Sequence, residues 1–202
     1  MNKKFPYLKK LEGKKIALLG LGIENYALAK FLISKKINCA ITICDFRSEE
    51  ELGEKYNTLS NRKNIAWKFG KTANENLTGF DVLFRSPGWP LFCQGIEEAK
   101  KVGVQVSSPI KLFFSLCPSK NIIGVTGTKG KGTTASLIHA IIKKAGKRVW
   151  LGGNIGVAPF DFRTNASYGL NTTLFVTGSA WTTQTLPVDF FITIPTASQV
   201  DP

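Results

Sequence analysis

A chain of 202 residues that is 43% hydrophobic can bury one large core or two small ones, and its apolar runs are strand-sized, which argues against a membrane-spanning helix. The net charge of +13 is spread over single lysines and pairs such as Lys35-Lys36, Lys100-Lys101 and Lys143-Lys144, with no basic run interleaved with aromatics. That pattern excludes an obvious nucleic-acid interface and fits solvated helix faces plus a positive field for phosphorylated ligands.

Four cysteines (Cys39, Cys44, Cys93 and Cys117) without a C-x-x-C pair, and a single histidine, argue for reduced buried thiols and against a metal cluster. The basic stretch Met1–Lys10 is not followed by a signal-like apolar segment. The expected location is the cytoplasm.

In chain order, Ile16-Ala-Leu-Leu-Gly20 reads as a buried parallel strand ending in glycine, and residues 26–33 have helical spacing. Further strands are predicted at 40–44, closed by Asp45, and at 65–69 and 81–84, the last followed by the turn Ser86-Pro87-Gly88. A helix at 96–102 and a short strand at 104–106 complete the set. Strands alternating with helices predict a doubly wound parallel sheet over residues 1–107.

Residues 108–120, with two prolines, read as a linker. A second α/β unit is expected from 121 to 162: a strand at 121–126, a glycine-rich turn, a helix from about Lys131 to Ala145 stopped by Gly146, and a strand at 148–151. Residues 163–202 differ in composition. The first 162 residues hold 22 lysines and the last 40 hold none, where the same density would put about five. The expectation is therefore an atypical tail, foreign to the fold or disordered, in which Leu174–Val176 and Phe190–Ile194 read as strands with no sheet to join.

The strongest chemical signal is Thr126-Gly-Thr-Lys-Gly-Lys-Gly-Thr-Thr134, between a strand and a helix. Gly127, Gly130 and Gly132 allow backbone N–H groups to turn inward around phosphate oxygens, and the helix N-terminus adds partial positive charge. Thr128 and Lys129 belong to the same loop. Lys131 is the candidate catalytic cation for the β- and γ-phosphates, and Thr133 or Thr134 the candidate hydroxyl for Mg²⁺. Gly132 stands where the general phosphate-loop pattern has Ser or Thr, so the match is to T-G-T-x-G-K.

The first glycine turn, Gly20-Leu-Gly-Ile-Glu-Asn-Tyr26, is a degenerate dinucleotide fingerprint with Asn25 at the third glycine position. Asp45 at the second strand end could accept from a ribose or base, or cap the strand; Arg47 could fork onto a carbonyl or phosphate, or sit in solvent. His139 lies two turns into the helix after the phosphate loop, too far along to touch phosphate.

The loop T-G-T-K-G-K resembles those of Mur ligases and folylpolyglutamate synthases. The ordered set Gly20-Leu-Gly22, Asp45-Phe-Arg47, Ser86-Pro-Gly88 and Gly152-Gly-Asn-Ile-Gly156 resembles the D-glutamate-adding Mur ligases, over about residues 13–161. The implied fold is a Rossmann-like parallel-sheet domain followed by the start of a phosphate-loop central domain. By that resemblance a sugar nucleotide falls on Ile23 and Glu24, on Asp45, Phe46 and Arg47 around the uracil, and on Gly88 and Asn154 nearer the muramoyl end. ATP falls on Gly127, Thr128, Lys129, Gly130, Lys131, Gly132 and Thr133, with Mg²⁺ at Thr133. The implied reaction is ATP-dependent amide formation through an acyl phosphate, joining D-glutamate to UDP-N-acetylmuramoyl-L-alanine. The resemblance implies a cytoplasmic monomer that binds neither nucleic acid nor membrane. No counterpart of the family's later metal ligands is found, so little or no turnover is expected. The alternatives are a non-catalytic nucleotide-binding fragment and a folylpolyglutamate synthase-like ligase.

Overall fold

The computed structural model describes residues 6–90, 92–117, 121–127, 129–153, 157–161, 173–177 and 190–194. The chain divides into two compact units, Met1–Leu116 and Cys117–Pro202.

Unit 1 opens with a short helix, α1 (Pro6–Lys9), and continues through β1 (Lys15–Leu19), α2 (Ile23–Ser34), β2 (Ala40–Asp45), α3 (Glu49–Leu52), α4 (Glu54–Ser60) and β3 (Ile65–Phe69). Two 3₁₀ turns, Gly70–Asn74 and Leu77–Gly79, lead to β4 (Val82–Arg85), α5 (Gln94–Lys101), β5 (Gln105–Ser107) and α6 (Pro109–Leu116). The five strands are all parallel in the order β3-β2-β1-β4-β5. Ile16, Ala17, Leu18 and Leu19 of the central strand have no exposed surface, because helices cover both faces. On one face Ala17, Leu19 and Leu83 pack with Ile96 and Ala99 of α5. On the other, α2 buries Ala27, Leu28, Phe31 and Leu32 and packs beside α6.

Two segments differ from expectation. Residues 108–120 were expected as a linker, but Pro109–Leu116 form α6 with Ile110, Phe113 and Phe114 buried in unit 1. Pro109 occupies the helix's first position, where a missing N–H costs nothing. The polar stretch 49–60 forms α3 and α4, started by a capping box in which Ser48 and Glu51 satisfy each other's backbone N–H.

Unit 2 contains β6 (Ile122–Gly127), α7 (Lys131–Lys144), β7 (Val149–Gly153), β8 (Thr173–Thr177) and β9 (Phe190–Ile194), with sheet order β7-β8-β6-β9, all parallel. The expectation that the last two segments have no sheet to join is corrected: β8 and β9 flank β6 on its two sides. Val125 and Ala135 are buried between the sheet and α7, with Ile123, Ile138, Val149 and Leu151 around them. Among the described residues no helix is long and apolar enough to cross a membrane.

Candidate functional site

In unit 1 the chain leaves β1 toward β2 on one side and leaves β4 toward β5 on the other, so the strand order reverses between neighbouring β1 and β4. A crevice opens beyond the carboxyl ends of such a pair, where open α/β sheets bind ligands. Gly20 and Gly22 line it from the β1 side, and Ser86 through Trp89 from the β4 side. Gly20 has φ +77°, a backbone conformation that favours glycine, and a Cβ there would lie 2.5 Å from Ser86 Oγ, so that hydroxyl would have to turn away to admit one. Ser86 N donates to Leu19 O at 2.9 Å and Gly20 N to Cys44 O at 2.8 Å, which ties the two turns to the sheet. Gly22 is the N-cap of α2 and lends no side-chain cap, so the first N–H groups of that helix face the crevice end without a side-chain partner.

Asn25, the departure from the fingerprint, is fully buried. Its Nδ2 donates to Leu19 O at 3.1 Å, Gly20 O at 2.9 Å and Phe84 O at 3.0 Å. It binds the ends of β1 and β4 together across the reversal, work that a glycine cannot do.

Asp45 is 3% exposed and its carboxylate is occupied within the protein. Oδ2 accepts from Leu21 N at 2.6 Å and Arg47 Nη2 at 2.8 Å; Oδ1 accepts from Arg47 N at 3.0 Å and Nε at 2.9 Å. Burial would raise this carboxyl, but the bonds from Arg47 and Leu21 outweigh it and hold Asp45 below its ordinary value. Of the two sequence readings, the structure favours Asp45 as organiser of the strand end and of the glycine turn. The guanidinium of Arg47 is raised by its bond to Asp45, and its side chain remains 43% exposed. Lys55 reaches across from α4 to donate to Leu21 O at 3.2 Å.

Phe46 is 47% exposed, with its ring stacked on Trp89 at 4.2 Å and 15°. Trp89 is itself buried, with its Nε1 unpartnered. Ile23 is 68% exposed at the start of α2. Glu24 beside it is half-buried, and burial pushes its carboxyl up against a smaller opposing pull from Arg85. Arg85 is held by the carbonyls of Ser86 (3.2 Å) and Trp89 (2.7 Å). Gly88 is exposed in the same loop, and a side chain there would meet nothing. Sequence reasoning missed Arg85, Trp89 and Lys55. The charged end of the otherwise apolar run Val82-Leu-Phe-Arg85 was the one available signal.

In unit 2 the glycine-rich loop follows β6, which has a strand on each side. Gly130 is the N-cap of α7 in the left-handed conformation (φ 75°) and supplies no side-chain cap; Lys131, Gly132 and Thr133 form the first turn. Lys129 and Thr133 are exposed and Lys131 is half-buried. Thr128 and Asn154 lie outside the described residues. Among the described residues no group of three His, Cys, Asp or Glu side chains could hold a metal. Burial pushes the thiols of Cys39 and Cys44 up to about 11 and about 12, consistent with inert core residues.

Residues 14–108 match the model of the Mur ligase MurD-like N-terminal domain, and residues 125–185 that of the Mur ligase middle domain. The chain belongs to the Mur ligase family. Similar curated proteins include the UDP-N-acetylmuramoylalanine–D-glutamate ligases of Clostridium acetobutylicum (36% identity over 155 residues, 77% of this chain and 33% of the relative) and Acetivibrio thermocellus (40% over 153 residues, 75% and 32%). This Mur ligase chain thus spans about a third of the length of the curated relatives it matches. A solved UDP-N-acetylmuramate:L-alanyl-γ-D-glutamyl-meso-diaminopimelate ligase from Neisseria meningitides aligns at TM-score 0.47 with 21% identity, covering 81% of this chain and 52% of that one. The middle-domain match runs to residue 185 and takes in β8.

Proposed function

We propose that unit 1 binds UDP-N-acetylmuramoyl-L-alanine and unit 2 binds the phosphates of ATP, as the sugar-nucleotide and nucleotide parts of a ligase that adds D-glutamate through an acyl phosphate. The observation that carries this reading is the close-packed Gly20–Ser86 turn pair at the sheet reversal, which leaves backbone and the uncapped α2 N-terminus open to a diphosphate. In this reading Ile23 and Glu24 flank the diphosphate, Phe46 offers its exposed ring face to the base, Arg47 forks onto it, and Asp45 holds Arg47 in place. Gly88 and Asn154 lie toward the muramoyl end. ATP is cradled by Gly127 to Thr133, with Lys131 as the catalytic cation.

The β6–Gly130–α7 geometry fits a phosphate chain. Mg²⁺, if bound here, would neutralise the charge that develops on the phosphates during transfer. Thr133 on the first turn of α7 supplies one candidate ligand for it. The working form is a cytoplasmic monomer that engages neither nucleic acid nor membrane. A second reading is a binding module without turnover.

Isothermal titration of the 202-residue chain tests both. Binding of UDP-N-acetylmuramoyl-L-alanine should weaken roughly 10- to 150-fold in Arg47→Ala, and Mg·ATP binding should be lost in Lys131→Ala. Full affinity in these variants would refute the site assignment. ADP release with all three substrates would refute the module reading.

A further inference from the structure

We propose that Trp89 is a positioning residue for the base of the sugar nucleotide. It fixes the plane of the Phe46 ring from beneath, and the base stacks on the outer face of that ring as a third layer. This role rests on the placement of the base at Phe46 proposed above, and adds to it the residue that turns an exposed side chain into a fixed shelf.

The two rings come from opposite sides of the sheet reversal. Phe46 follows the end of β2, and Trp89 lies in the turn beyond β4. The glycine turn after β1 runs between them, since β1 separates β2 from β4 in the sheet. A Cβ on Gly20 would lie 3.5 Å from Trp89 Cε3, so the indole lies over that turn at contact distance. The stack, with ring centroids 4.2 Å apart and planes within 15°, therefore spans three strand ends.

The partners are unequal. Trp89 is 3% exposed and belongs to the same buried cluster as Leu19, Cys44, Leu83 and Ile96. Its N donates to Ser86 O at 3.1 Å and its O accepts from Arg85 Nη1 at 2.7 Å. Phe46 is 47% exposed, and its backbone is pinned because Asp45 accepts from both Leu21 N and Arg47 N. A lone exposed phenyl ring would sample several rotamers; one laid on an immobile indole keeps a single plane. That ordering is complete before a ligand arrives, so binding does not bear its cost. Core filling alone does not call for an indole. Trp89 Nε1 is buried without a partner among the described residues, a burden that an aliphatic side chain would avoid. What the indole adds is a broad flat face.

Titration calorimetry of the 202-residue chain with UDP and with 5,6-dihydro-UDP tests this role. The dihydro base keeps its carbonyls, ribose and diphosphate but is puckered and stacks poorly. The unmutated chain should bind UDP at least about fivefold more tightly than the dihydro form, and Phe46→Ala should erase that preference. Trp89→Leu should weaken UDP roughly 2- to 10-fold, leave the dihydro form unchanged, and have no further effect in the Phe46→Ala background. Trp89→Phe, which restores a flat face, should recover most of the loss. Because Trp89→Leu disturbs the core, a second measurement needs no variant: NMR three-bond couplings of Phe46 in the ligand-free chain should report one χ1 rotamer. Averaged Phe46 rotamers, equal weakening of both ligands in Trp89→Leu, or further weakening in the double variant would overturn the proposal. No preference for UDP in the unmutated chain would remove the base from Phe46 and this role with it. A preference that Phe46→Ala erases and Trp89→Leu leaves intact would remove Trp89 alone.

Discussion

Gly20 and Ser86 face each other so closely at the sheet reversal that a Cβ on Gly20 would sit 2.5 Å from the Ser86 hydroxyl oxygen. The turn after β1 and the turn after β4 are therefore one packed unit, and the sequence of either is constrained by the other.

The first prediction follows from that contact. Gly20→Ala must hold φ +77° with a Cβ, which costs about 1–2 kcal/mol, and must also push Ser86 aside. A loss of several degrees in unit 1's melting temperature is expected. Gly22→Ala serves as control: its φ is −70° and its Cβ would lie 3.8 Å from Ser86 Cβ, an ordinary contact. Equal melting temperatures for the two variants would contradict this account.

The second prediction concerns Asn25. Restoring the fingerprint glycine with Asn25→Gly should destabilise the domain rather than improve it. The change removes the one side-chain donor shared by Leu19 O, Gly20 O and Phe84 O, and leaves a cavity. Buried polar groups deprived of a partner cost about 1–3 kcal/mol. Urea unfolding monitored by tryptophan fluorescence reads the loss directly.

Asp45 sets a pH dependence. Its folded carboxyl is held below the ordinary value, so the stability it contributes is fully present above about pH 4 and is lost as pH falls through the folded value. The difference in melting temperature between wild type and Asp45→Asn should be largest near neutrality and should shrink as the solution is acidified below about pH 4. A difference that grows on acidification would mean that Asp45 is not held as the four hydrogen bonds require.

Glu24 carries the opposite sign. Burial raises its folded carboxyl, so the protonated form is the one folding favours, and that contribution is present in acid and lost as pH rises through the raised value. Glu24→Gln should therefore be more stable than wild type near pH 7 and little different near pH 4. If Glu24 flanks a diphosphate as proposed, the same variant should bind UDP-N-acetylmuramoyl-L-alanine more tightly at neutral pH. Weaker binding there would place the diphosphate elsewhere.

The strands of unit 1 were legible because a parallel strand covered on both faces must be a short apolar run, as Ile16–Leu19 and Val82–Phe84 are. Helix α6 was not, since prolines at 109 and 118 read as punctuation when one of them is a helix start. Asp45 and Arg47 were visible as a charged strand end. Trp89 was not, because its meaning lies in a stack on Phe46, 43 residues away, which no local spacing encodes. The same holds for the tail: Leu174–Val176 and Phe190–Ile194 could be read as strands, but their neighbour β6 is some 50 to 70 residues earlier, and composition says nothing about partners at that distance.

The last prediction turns on that pairing. In the order β7-β8-β6-β9, β7 touches only β8, and β6 is bracketed by β8 and β9. A chain ended after Phe162 would lose every strand-to-strand bond of this sheet in one step, leaving β6 and β7 as separate apolar strands with open edges. Val125 and Ala135 would lose the sheet that encloses them, and α7 the platform on which it packs. The five strands of unit 1 pair only among themselves, so its sheet is intact in the shortened chain. Calorimetry should therefore show the unit 1 transition retained and the unit 2 transition gone, with Mg·ATP binding lost and a stronger tendency to aggregate. Retention of a cooperative second transition, or improved solubility on truncation, would show that residues beyond 162 are not part of the second sheet.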